Sequence, residues 1–172
     1  MSSMKCLLLL KLPSAIFTIL LTIDPTPGQV QKAKGLSPAD AVLILNAKES
    51  SVKSGGAIWV DVTVENKSDH VLLVYRELTG VGDDQGGWVY YSDVHDNEGR
   101  KPQPTKFLEE RGGFGSGGYI HLKPGKTMTD RINICKLLDL SRPGKYSIQV
   151  YRRDGMGNTT LRSNTITVTV TP

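Results

Sequence analysis

The sequence predicts an all-β protein, an antiparallel sandwich of about seven to eight strands, and three observations carry that expectation. Apolar residues recur at every second position: Ile58, Val60, Val62 and Val64 alternate with Trp59, Asp61, Thr63 and Glu65, as in a strand with one buried face. Short apolar stretches are separated by Gly, Pro, Asn and Asp, and no stretch of ten or more residues holds a helical period. The third is residues 138–150, where a Pro143-Gly144 turn leads into Tyr146, Ile148 and Val150 alternating with Lys145, Ser147 and Gln149. A tyrosine just past such a corner can return its hydroxyl to the preceding backbone, so this strand is placed at the centre of the sandwich.

Residues 1–28 read as a secretory signal peptide: Lys5 precedes the apolar run 7–10, and a second apolar run covers 15–23. Lys11 and Pro13 break any span approaching the roughly 20 apolar residues a membrane helix needs, so no stable membrane span is expected after cleavage. The expected cut follows Gly28, with Thr26 two residues before it, and the product is secreted, to the periplasm or beyond the cell. Residues 29–38 form a polar leader and 39–172 a single β-sandwich domain. A chain of that size buries roughly 68 % of its unfolded surface without covalent staples. Cys6 leaves with the signal and Cys135 stays alone, which rules out an internal disulfide and places the thiol in or near a strand end. Removing Lys5, Lys11 and Asp24 from 21 basic and 17 acidic residues leaves 19 against 16, a mild excess scattered along the chain, so nucleic acid is not an expected partner.

Within the domain the strands follow in order. Residues 41–45 form the first and 48–56 its connection; 58–65 form the second. Asn66-Lys67-Ser68-Asp69 turns the chain back through 71–75, because Asn and Asp tolerate left-handed backbone and bond their own neighbours. A glycine-rich, acidic loop at 78–87 leads to a strand at 88–95, with Trp88, Tyr90, Ser92 and Val94 inward because that set carries no charge. Asp96-Asn97-Glu98-Gly99 is a turn, and Pro102 and Pro104 keep the next residues out of a central strand. After the glycine-rich loop 111–118 comes a short strand at 119–122, a turn at Lys123-Pro124-Gly125-Lys126, and a strand at 127–134 that leans to an edge because Asp130 interrupts its apolar side. A polar loop at 154–162 precedes the closing strand 165–171. Counting 119–122 as a strand puts the glycine-rich loop and the 154–162 loop at separate ends.

Four pieces, Val62-Thr-Val-Glu-Asn-Lys-Ser68, Val94-His-Asp-Asn-Glu-Gly99, Leu122-Lys-Pro-Gly-Lys-Thr127 and Pro143-Gly-Lys-Tyr146, together resemble exported bacterial immunoglobulin-like modules, including those similar to the Bacillus intracellular proteinase inhibitor. The resemblance covers about residues 40–171 and implies an immunoglobulin-like sandwich that is secreted and non-catalytic. It carries over no inhibitory loop residue, and the paired cysteines of antibody domains are absent.

Catalytic chemistry is not expected. His70, His95 and His121 fall in a turn, a strand and a short segment, with no serine in a nucleophile-elbow context. Lys136 beside Cys135 would lower that thiol's pKa, but no local signature marks it as a nucleophile. Asp83, Asp84, Asp93, Asp96, Asn97 and Glu98 offer oxygens, yet their spacing fits no calcium loop and reads as turn chemistry, so neither metal nor cofactor is assigned. Asn66-Lys-Ser68 and Asn158-Thr-Thr160 match glycan acceptor patterns and mark both as exposed loops. The Arg111-Gly-Gly run is neither a repeated RNA-binding array nor a phosphate cradle.

What remains is a contact surface. Trp88, Tyr90, Arg111, Phe114 and Tyr119 are the residue types that dominate binding hot spots and are the candidate ligand contacts, against the bland alternative of core packing. The expected function is a secreted, non-catalytic domain binding a protein or glycan partner, or serving as an envelope-associated structural module. The alternative is a proteinase inhibitor presenting an exposed loop.

Overall fold

The computed structural model describes residues 33–77, 89–110, 117–153 and 159–172. Among them the strands are β1 (Ala41–Ala47), β2 (Ser51–Lys53), β3 (Trp59–Asn66), β4 (Leu72–Glu77), β5 (Tyr90–Asp96), β6 (Gly117–Leu122), β7 (Thr127–Asn133), β8 (Gly144–Arg153), β9 (Thr160–Arg162) and β10 (Ile166–Thr171). Two helices of one turn each, α1 (Lys106–Glu109) and α2 (Ile134–Leu137), complete the set. The protein is an all-β sandwich. One sheet runs β1-β3-β7, a second β2-β10-β8-β5 with β9 beside β8, and a third pairs β4 with β6.

Alternation decides the layering. Every second residue of β3 is buried, with Val60, Val62 and Val64 fully enclosed, and each such valine contributes about 1.5–3 kcal/mol of transfer free energy. Tyr146, Ile148 and Val150 of β8 supply the facing layer, and these side chains join one core with Leu43 and Leu45 of β1 and Val168 and Val170 of β10. β8 sits centrally, antiparallel to β10 on one side and to β5 on the other. The corner before it closes as expected: the Tyr146 hydroxyl donates to the Arg142 carbonyl at 2.7 Å. β5 also takes the expected orientation, with Tyr90 and Val94 buried and Tyr91 exposed.

The turns follow their residues. At 123–126 the Lys126 N–H donates to the Lys123 carbonyl at 3.1 Å, and Gly125 holds φ at +67°, which that turn asks of glycine. Asp96 accepts from the N–H groups of Glu98 and Arg100 at 2.9 Å each and pairs with the Arg100 guanidinium, confirming turn chemistry there.

Four expectations need correction. The 48–56 connection contains β2, which lies parallel to β10, and the 154–162 loop ends in β9, where Leu161 is buried. Three residues are too few to display a period. Asn66 is not an exposed acceptor: it is fully buried, its amide donating to the carbonyls of His70 and Leu122 at 2.8 Å while its Oδ1 accepts from the Ser68 N–H and hydroxyl. The amide nitrogen that a glycan would have to reach here clamps a corner.

The fourth concerns loop placement, because the strand ends flanking the two loops converge rather than lie apart. Arg152 donates to the Tyr75 carbonyl, and Tyr75 pairs with Tyr119 just inside β6. The chain leaves β5 at the end paired with Tyr146, bridges Leu138 at Pro104, forms α1, and enters β6 near the opposite end of β5. β4 and β6 form a sheet of their own, so counting β6 with the strands of the other two sheets does not fix the end at which it starts.

Candidate functional site

Of the five sequence candidates, Trp88, Arg111 and Phe114 lie outside the described residues. Tyr90 is buried at 4 % exposure, which favours the core-packing alternative over a surface contact. Its hydroxyl donates to Asp130 Oδ2 at 2.8 Å and accepts from Arg152 Nη1 at 2.8 Å, with the Arg152 guanidinium 5.0 Å from the ring centre. Burial pushes the phenol pKa well above its ordinary value, Asp130 adds to the rise and Arg152 opposes it. Asp130 also accepts from Arg76 Nε at 3.0 Å. Asp130 thus holds the Arg76 guanidinium directly and the Arg152 guanidinium through the phenol, riveting β8 and β5 to β7 and β4. Tyr119 is 47 % exposed and meets Tyr75 edge to face, ring centres 5.4 Å apart. Among the described residues Tyr90 is linked to Tyr119 through Arg152 and Tyr75.

A different constellation occupies the outer face of the second sheet. Tyr91 of β5 stands directly opposite Tyr151 of β8, and Tyr151 directly opposite Arg162 of β9. The two rings stack at 5.2 Å with 10° between their planes. Arg162 lies over the Tyr151 ring at 5.5 Å and Arg153 over the Tyr91 ring at 5.4 Å. The two rings stack on each other and each has a guanidinium within 5.5 Å of its centre, an arrangement stabilised by ring quadrupoles. Among the described residues neither Arg153 nor Arg162 forms a salt bridge. Sequence reasoning placed Tyr91 on the outer face but ended the central strand at Val150. Continuing the alternation by three residues would have put Tyr151 and Arg153 outward; the obstacle was Arg152, a charged residue at an inward position.

Beside this ladder lies a cavity of about 360 Å³. Tyr90, Tyr91 and Ser92 border it from β5, and Leu108 of α1 with Leu137 and Leu138 at the end of α2 border it from across the gap. Consecutive strand residues point to opposite faces, so a cavity touching three in a row opens on the strand's free edge. β5 is the last strand of its sheet. Tyr151 borders the cavity too, which makes ladder and cavity continuous.

No family model matches the chain, and no curated protein matches it either. Among solved structures it is similar to β-glucosidase from Listeria innocua: a mutant bound to laminaribiose at 13 % identity and TM-score 0.37, and complexes with glucose and gluconolactone at 14 % identity and TM-scores of 0.37 and 0.36. Each likeness covers 77 % of this chain, which spans only 16 % of the enzyme's length.

The remaining reactive groups lie elsewhere. Cys135 is half-buried in α2, directly after β7, with its N–H capped by Asn133 at 3.1 Å. Burial pushes its thiol pKa up, which overturns the expected lowering by Lys136. The Lys136 ammonium lies 4.5 Å from the centre of the Phe107 ring. His70 stands with Nδ1 3.1 Å from Asp69 and Nε2 3.8 Å from Asp40, and His95 has Nε2 3.8 Å from Asp93. Among the described residues no three His, Cys, Asp or Glu side chains are grouped to hold a metal, and no helix is long and apolar enough to cross a membrane.

Proposed function

We propose that this chain is an exported, non-catalytic module that binds a macromolecular partner through the outer face formed by β5, β8 and β9. The observation that carries the reading is the ladder of Arg153, Tyr91, Tyr151 and Arg162, standing in solvent on a rigid central sheet. Tyrosine and arginine are the residue types that concentrate binding energy at interfaces, and a face locked by mutual stacking surrenders little rotamer entropy on binding. The raised thiol pKa of Cys135 favours a structural role for that residue over a nucleophilic one. Export rests on the charge and hydropathy pattern of residues 1–28.

The test is affinity capture from the native organism's envelope and culture-medium fractions. The bait is residues 29–172, compared with the same chain carrying Arg153→Glu and Arg162→Glu. A partner retained by the first and lost by the second supports the reading. Equal recovery on both, or recovery on neither, overturns it.

A further inference from the structure

We infer that the ladder and the adjoining cavity form one docking site for an extended acidic peptide, with an apolar side chain seated in the cavity and flanking carboxylates on Arg153 and Arg162. This rests on the binding-module reading above and names the class of partner. Three features lead to it.

The first is charge. Each guanidinium lies over a tyrosine ring at the exposed end of its side chain, and a guanidinium offers a fork of N–H donors matched to a carboxylate. Among the described residues neither forms a salt bridge, Arg162 feeling Asp93 of β5 only through space, so both are complementary to an acidic partner. The second is the state of the rings. Tyr91 and Tyr151 stack on each other and each has a guanidinium over its ring, so a partner meets cations together with the rings. The third is the cavity, whose volume of about 360 Å³ sits at the small end of the range for ligand sites. Leu108, Leu137 and Leu138 make its far wall apolar, and its mouth follows the edge of β5 that pairs with no other strand among the described residues. An extended peptide laid along a strand edge presents alternate side chains to opposite sides, which lets one enter the cavity while its neighbours reach the ladder.

The probe is a short fluorescein-labelled peptide with one leucine flanked by glutamates, titrated by anisotropy against residues 29–172. Saturable binding is expected, with affinity falling as salt rises. Replacing the peptide's leucine by alanine should weaken binding by about tenfold. Arg153→Gln with Arg162→Gln should weaken it by at least about tenfold; both residues are exposed, and unchanged circular dichroism identifies the folded variant. The peptide changes test the site on the unaltered protein. Equal binding of a peptide with lysines in place of the glutamates, unchanged affinity in the arginine variant, or displacement of the peptide by polygalacturonate at lower concentration than by unlabelled peptide would each overturn the inference. If the acidic peptide fails while capture still depends on Arg153 and Arg162, this inference falls and the module reading stands. If both fail, both fall.

Discussion

Asp130 is the residue whose chemistry reaches furthest into the fold. At 2 % exposure it accepts from Tyr90 and Arg76, and Tyr90 in turn accepts from the buried Arg152. Asp130→Ala would take the carboxylate away from Arg76 Nε and the acceptor away from the buried Tyr90 hydroxyl, and should cost about 3–5 kcal/mol of unfolding free energy in urea titrations, the usual penalty for breaking a buried ion pair from one side. Tyr146→Phe removes only the corner hydrogen bond to Arg142 and should cost about 1 kcal/mol by the same measurement. Cys135 provides a test of a different kind. Because burial holds its thiol above the ordinary range, less of it is thiolate near neutral pH than in the unfolded chain. Labelling by a thiol reagent at pH 7 should therefore be slow in the native protein, speed up as pH rises, and speed up sharply in denaturant.

The long elements were legible because apolar residues recur at every second position, with Asp130 in β7 and Arg152 in β8 the charged exceptions on the inward side. In β3 the valines point in and Asp61, Thr63 and Glu65 point out, and that pattern alone gives strand, face and length. The register adds what the pattern could not: Val62 sits opposite Asp130 across the β3–β7 pair. Val62→Asp would therefore bury a charge beside another of the same sign, and should abolish cooperative unfolding, whereas Thr63→Asp on the outward face should shift the urea midpoint only slightly. Asp130 read as a blemish marking β7 as an edge strand. It does lie at the edge of its sheet, but its side chain is directed inward because Tyr90 and Arg76 supply partners from strands distant in sequence, with Arg152 behind Tyr90. Such partners leave no trace in local periodicity. For the same reason β2 and β9, three residues each and held by pairing with β10 and β8, were hidden inside apparent connections.

For the molecule as a whole, the class of fold was written in alternation and turn residues, while the assembly of strands was not. The contact candidates taken from aromatic and arginine content included Tyr90, which belongs to the interior, and passed over Tyr151, Arg153 and Arg162. Those three become neighbours of Tyr91 only once β5, β8 and β9 lie side by side. Asn66 shows the converse, a short pattern with a surface meaning whose side chain is fully consumed by the corner it closes. Export makes a prediction at this scale as well: the protein recovered from the medium or periplasm of an expressing cell should have an intact mass corresponding to loss of residues 1–28, within a few residues of Gly28.

The parallel contact between β2 and β10 also sets a clock. Val52 and Thr171 lie 119 residues apart along the chain, yet they must meet before the second sheet is complete. Closing so wide a loop costs entropy before any of the new contacts repays it, so refolding from urea should proceed in the millisecond-to-second range typical of high contact order. Until it finishes, one side of β10 is an open ladder of amides and carbonyls that other copies can join. Yield on refolding should fall steeply with concentration, and dilute, rapid removal of denaturant should restore it.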